Sequence, residues 1–160
     1  MPFGAGMEPK PSDRLRSLGI DLPPAPTPKG SYAPVTRAGK LAWVSGQIVF
    51  EQGAVVRPGR VDRDIPADAA SDLVRRATLQ ALSALAVELG TLDQVRRAVR
   101  LGVFVAVSEG FHREHEVANG GSDLLLAIFG EAGRASRSTL GVAGLPLNAP
   151  VEVELLVETA

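Results

Sequence analysis

The sequence predicts one mixed α/β (α+β) domain built on a single sheet, with element order β-β-α-β-α-β-β and both helices on one face. Three observations predict it. Val95 to Val107 and Val151 to Val157 alternate apolar and polar residues with period two, the pattern of half-buried strands. Asp68 to Leu89 instead places Leu73, Val74, Ala77, Ala81, Leu82, Leu85 and Leu89 at helical spacing, which gives one buried face. The chain has 160 residues, 45% hydrophobic and 22% charged, which suits one domain able to bury a core.

Residues 1–29 read as an arm lying across the domain, and residues 30–160 as the domain itself. Ser12 to Gly19 suits a short helix, with Ser12 as N-cap, Leu15 and Leu18 on one face and Gly19 as the stop. Asp21 to Pro28 carries four prolines, so it is expected to be a stiff, extended strap that no central strand could accommodate. Met1 to Lys10 lacks a charged start followed by an apolar stretch, so no secretory signal is read there, and the expected address is the cytoplasm. Met7 is an alternative first residue.

Val35 to Arg37 and Leu41 to Phe50, joined at Gly39 and Lys40, predict a hairpin, and Gly46 in its second strand predicts a bulge or a close approach to the backbone. Glu51 to Pro66 reads as a loop. The helix over Asp68 to Leu89 stops at Gly90. In the next strand Val99, Leu101, Val103, Val105 and Val107 share one side. Phe111 to Phe129 predicts the second helix, interrupted at Asn119-Gly120-Gly121. Ser136 to Ala143 and Val151 to Val157 predict the last two strands, with a turn over Gly144 to Pro150. Two helices on one face leave the other uncovered, and further copies of the chain are the expected cover.

Composition excludes several functions. A net charge of −1 with both signs interspersed gives no general attraction to nucleic acid or anionic membrane. With no cysteine, thiol nucleophiles, disulfides and thiolate metal sites are ruled out. Apolar runs such as Leu41 to Val44 and Leu124 to Phe129 fall far below the roughly 18 residues of a membrane span.

The chemistry concentrates in Ser136-Arg137-Ser138-Thr139-Leu140-Gly141-Val142-Ala143-Gly144-Leu145-Pro146 followed by Val151-Glu152-Val153-Glu154. Gly30-Ser31-Tyr32, Val44-Ser45-Gly46-Gln47 and Val103-Phe104-Val105 accompany it in order. Together these resemble the Rid (YjgF) superfamily, and Val117 to Leu125 with Phe129-Gly130-Glu131 resemble its longer, L-PSP endoribonuclease-like subgroup. The resemblance implies a chorismate-mutase-like barrel: a homotrimer with a cleft at each subunit interface. It also implies hydrolysis of reactive enamines and imines, such as 2-aminoacrylate-like imino acids, to 2-keto acids and ammonia, with no cofactor.

Arg137 offers a planar fork of donors that pairs bidentately with a carboxylate, and the resemblance makes it the substrate anchor. Its alternative is an ion pair with a glutamate at a subunit interface. Glu152 corresponds to a family glutamate that holds the attacking water, and its alternative is a solvated charge on an alternating strand. Thr139 stands where many members have a cysteine whose backbone serves the site. Tyr32 corresponds to an aromatic that closes the cleft from a neighbouring chain. Ser45 and Gln47 are candidate contacts or the polar lining of a bulge bonded to backbone. Asn119 is either a substrate contact or only a helix break, its spacing to Phe129 being longer than the family's.

His112 and His115 have the i, i+3 spacing of a metal pair but stand on a polar turn without further ligands, the pattern of a solvated face. Asn119-Gly120-Gly121 lacks the lysine and spacing of a phosphate loop. Arg96, Arg97 and Arg100 read as water-exposed. Two other functions stay open at this point: a non-catalytic module that binds small carboxylates, and a ribonuclease. The second fits poorly with the charge balance and the single Trp and Tyr, because single strands favour basic grooves with stacking rings.

Overall fold

The computed structural model describes residues 8–160, and the choice between Met1 and Met7 lies outside them. Helix α1, Pro11–Ser17, begins one residue before the expected cap. Pro11 fits the first helical position because its missing N–H has no partner there in any helix. Ser12 is therefore not the N-cap. Its amide and hydroxyl instead donate to the two carboxylate oxygens of Asp93 at 2.9 and 2.8 Å, tying the arm to the far end of the domain. Leu15 is buried and Leu18 exposed, so the two do not share a buried face. Gly19, at φ 64°, closes the helix. Its amide bonds the Arg16 carbonyl while that of Ile20 reaches back to Leu15, a Schellman ending. The proline strap then runs beside the long helix, where the Ser83 hydroxyl donates to the Pro23 carbonyl at 2.7 Å.

Strands β1 (Val35–Ala38) and β2 (Leu41–Gln47) form the expected hairpin, with Gly39 in the left-handed region. The second strand ends at Gln47 and not at Phe50. A separate two-stranded ribbon follows, β3 (Phe50–Glu51) and β4 (Ala54–Val55), inside the segment read as a loop. Its turn is Gln52-Gly53, both at positive φ, the conformation that two-residue hairpins demand. The missed signal was a glycine at the second turn position.

Helix α2, Ala67–Leu89, ends at Gly90 as expected, and a single 3-10 turn over Leu92–Gln94 leads into β5, Val95–Ala106. Short helix α3, Glu114–Val117, and α4, Asn119–Phe129, replace the one interrupted helix, which starts at Glu114 and not at Phe111. Strands β6 (Ser136–Val142) and β7 (Val151–Thr159) complete the chain. The sheet runs β1-β2-β7-β5-β6, with β5 and β6 parallel and the other pairs antiparallel.

Helices α2 and α4 cover one face. Val44, Leu101, Val103, Val105, Val153 and Leu155 point into that layer, each almost wholly buried, against Leu82, Leu85, Leu125 and Ile128. Val99 departs from the expected alternation, because the β5–β7 register shifts between Ala98 and Arg100 and leaves it half-buried at the irregularity. The glycines at the α3–α4 junction do more than interrupt a helix. A Cβ on Gly120 would run into the Ser71 carbonyl of α2, and one on Gly121 would sit 2.9 Å from Thr78 Oγ1 and 3.1 Å from Leu101 Cδ2. They let two helices approach closely. Alanine at Gly120 would gain roughly 1 kcal/mol of helix propensity, but the opposing group is backbone and cannot swing away. Gly120→Ala is therefore expected to be destabilising, overpacking of this kind costing about 1–3 kcal/mol, read as a lower urea midpoint at unchanged slope.

The opposite face is open. Trp43 is 49% exposed, Leu41 42% and Leu140 53%, and Phe104, Glu152, Glu154 and Leu156 beside them are half-buried. Among the described residues no helix is long and apolar enough to cross a membrane.

Candidate functional site

The functional candidates fall into two groups on opposite sides of the sheet. The first stands where β2 leaves the sheet and β7 enters it. The β2–β7 register shifts between Val44 and Gln47, so Ser45 and Gly46 together oppose Glu154. This is the bulge that Gly46 predicted, and the close approach is present too: a Cβ on Gly46 would collide with Glu152 Oε1, so only glycine lets the Glu152 carboxyl lie flat on β2. Ser45 Oγ donates to the Ala33 carbonyl at 2.6 Å, and the buried Gln47 Nε2 donates to the Ser45 carbonyl at 2.9 Å. The bulge is thus held by its own polar side chains, the backbone-bonded arrangement that the sequence had left as one of two options.

A cleft of about 830 Å³ opens over this bulge, with Tyr32, Ser45, Gly46, Gln47 and Glu152 on its wall. Tyr32 is 52% exposed. Its ring rests on Gly30, and its hydroxyl accepts from the Lys29 amide at 3.3 Å. Among the described residues Glu152 has neither a cation nor a hydrogen-bond donor as partner. Burial first, and then the neighbouring Glu154 carboxylate, push its carboxyl above the usual carboxylate range.

That shift has a pH signature. The folded chain holds the Glu152 proton more tightly than the unfolded chain does, so stability is lost as pH rises from the ordinary carboxylate pKa through the raised folded value. Glu152→Gln removes the penalty. Its melting temperature relative to wild type should climb as pH rises above the ordinary carboxylate range; a difference that stays flat there would dismiss burial as the cause.

The second group lies along β6, the edge strand. Arg137 Nη1 donates to Asn119 Oδ1 at 2.9 Å and to Ser122 Oγ at 3.0 Å, and Nη2 donates to the His115 carbonyl at 3.2 Å. Asn119 and Ser122 are one turn apart on α4 and so share a face. Asn119 is accordingly a partner of Arg137 and more than a helix break. Sequence reasoning missed Ser122, for which the i, i+3 spacing from Asn119 was the available signal. Arg137 has no carboxylate partner among the described residues, so the ion pair weighed above is not formed within the chain. Thr139 is two residues further along the same strand face, half-buried. Of the two histidines, His115 lends its carbonyl to this group.

Strand register keeps the groups apart. Arg137 stands opposite Leu101, which faces the helices, whereas Glu152 stands opposite Phe104 on the open side. One chain cannot bring the guanidinium and the Glu152 carboxyl together around a small molecule.

Residues 12–159 match the family model described as "YjgF/chorismate_mutase-like, putative endoribonuclease". Protein TCP17 of Trypanosoma cruzi is 40% identical over 145 residues, 90% of this chain and 91% of that protein. The crystal structure of Atu1372 from Agrobacterium tumefaciens, a protein described as having unknown function, is 37% identical with a TM-score of 0.82, covering 91% of this chain and 89% of that one. A Shewanella oneidensis structure named a "putative endoribonuclease" is 33% identical with a TM-score of 0.89, covering 94% and 99%.

Proposed function

The chain belongs to the YjgF/chorismate-mutase-like family, and from that premise we propose that it is an imine hydrolase: it converts carboxylate-bearing enamines and imines to 2-keto acids and ammonia, with no cofactor. The observation that carries this reading is Glu152, a half-buried carboxyl without a partner among the described residues, on the wall of a cleft that Tyr32 flanks. Its raised proton affinity suits a general base. Water gives a proton to Glu152 as its oxygen bonds the imine carbon. With the imine nitrogen protonated at the start, Glu152 returns its proton to the carbinolamine nitrogen, the C–N bond breaks, and ammonia leaves as the hydroxyl gives its proton to Glu152 and its oxygen becomes that of the ketone. Arg137 anchors the substrate carboxylate through its guanidinium fork, and Thr139 contributes backbone beside it. Asn119 and Ser122 set the orientation of that fork.

Because Arg137 and Glu152 lie on opposite faces in one chain, the working site joins the Glu152 cleft of one subunit to the Arg137 edge of another. A homotrimer does this and covers the open face with Trp43, Leu41 and Leu140 inside. Light scattering is expected to give three times the mass of one chain; a monomer would dissolve the shared-site mechanism.

The reaction is tested by generating 2-aminoacrylate and bulkier imino acids in solution and following keto-acid release. Acceleration beyond the spontaneous rate is expected. No acceleration with any imine would move the function to binding of small carboxylates without turnover.

The endoribonuclease description of the family and of the Shewanella relative favours a second reading. The surface argues against it. A net charge of −1 gives no general attraction for phosphates, and the cleft itself is lined by the acidic Glu152. RNA is expected to bind weakly and to survive incubation intact; specific cleavage persisting in Glu152→Gln would establish that activity at another site.

A further inference from the structure

The cleft is much larger than the simplest imines need. At about 830 Å³ in one chain, before an adjoining subunit adds its Arg137 edge, it falls in the upper part of the range, about 300–1,000 Å³, that holds drug-sized ligands, so a three-carbon imino acid beside Glu152 would fill only part of it. Beyond the bulge residues the cleft has further lining. Its walls are Pro26 and Pro28 of the strap, Ile48 and Phe50 at the β3–β4 ribbon, and Leu147. These two segments, the arm and the ribbon, give the cleft much of its apolar lining. The Lys29 ammonium sits 4.6 Å from the centre of the Phe50 ring and locks strap to ribbon.

Polar side chains interrupt this lining, among them Thr27, Lys29 and Gln80. Gln80, on α2, faces the same cleft, and its Oε1 is shut off from solvent without a hydrogen bond. A buried carbonyl oxygen left without a donor is destabilising. Among the described residues this oxygen has no partner, and the terminal torsion of glutamine is soft, so the side chain is free to turn its oxygen toward a ligand.

We propose that the cleft selects imino acids with a bulky apolar side chain, and that Gln80 is the specificity-determining residue that accepts a hydrogen bond from a donor at that side chain's far end. The inference rests on the imine reading for its chemistry. Side-chain selection itself belongs to the apolar residues that one chain contributes to the cleft.

The test compares imino acids generated from alanine, phenylalanine and tyrosine. The phenylalanine-derived imine is expected to exceed the alanine-derived one in kcat/KM by at least about tenfold, and the tyrosine-derived imine to exceed both. In Gln80→Leu the tyrosine-to-phenylalanine ratio should fall about fivefold, the size of one neutral hydrogen bond. Gln80→Met, also an unbranched side chain, gives the same reading if leucine disturbs α2. Equal rates for alanine- and phenylalanine-derived imines, or a ratio untouched by both substitutions, overturn the proposal. Should no imine be hydrolysed, the same ranking is read from the Kd of pyruvate, phenylpyruvate and 4-hydroxyphenylpyruvate by calorimetry. Failure of the hydrolase reading is thereby distinguished from failure of the selectivity, which equal Kd values would show.

Discussion

Arg137→Ala is expected to lower kcat/KM for imine hydrolysis by about 10²- to 10⁴-fold. Two charge-assisted hydrogen bonds from a guanidinium fork to a carboxylate contribute about 1.5–3 kcal/mol each, and every 1.36 kcal/mol is about tenfold in rate. The fork is also preorganised: Asn119, Ser122 and the His115 carbonyl take three of its N–H donors and leave the remainder to face a ligand. Lysine keeps the charge without the fork, so Arg137→Lys should fall between alanine and wild type. Removing the guanidinium leaves its partners at an exposed edge where water can replace it, so the melting temperature should change little. Asn119→Ala and Ser122→Ala act only through the arginine, and each is expected to raise KM by several-fold, about one hydrogen bond's worth, while kcat is held. Loss of hydrolysis in the Glu152→Gln variant combined with full activity of Arg137→Ala would sink the anchor role and leave only the base.

The fold was legible where periodicity is strong. Alternation in β7 and helical spacing in α2 survive in the structure almost residue for residue, since each buries a continuous face. Less legible were features set by a distant partner. Ser12 read as a cap because a serine before an apolar turn usually is one, whereas its true partner, Asp93, is 81 residues away. Gly120 and Gly121 read as a helix break, because nothing local shows that α2 packs against them. The site shows the same division. Gly46 announced a bulge through its residue type, and the structure adds that Glu152 fills the space its missing side chain leaves. Motif order placed Arg137 and Glu152 in one functional unit. Sequence spacing did not show that they point to opposite faces, because the alternation restarts across the segment between β6 and β7.

That opposition leads to the second large effect. Arg137→Ala and Glu152→Gln chains, each inactive alone, are expected to regain activity when unfolded together and refolded as mixed trimers. A working site takes its guanidinium from one chain and its carboxyl from the next around the three-fold axis. A chain carrying Glu152→Gln still supplies the arginine, and a chain carrying Arg137→Ala still supplies the glutamate. With equal amounts and random assembly, a site is intact when the first kind precedes the second, which happens for about one quarter of sites. Activity should therefore rise from near zero to about a quarter of wild type, and it should follow the product of the two mole fractions as the mixing ratio changes. If each chain held its own complete site, every chain in the mixture would still lack one group, and mixing would restore nothing. Partial recovery with that quadratic dependence thus separates a shared site from a private one without any structure of the assembly. Recovery that appears on simple mixing, before refolding, would mean that subunits exchange in the native state. A flat zero after refolding, with trimers confirmed by light scattering, would place the catalytic carboxyl somewhere other than Glu152 of the adjoining chain.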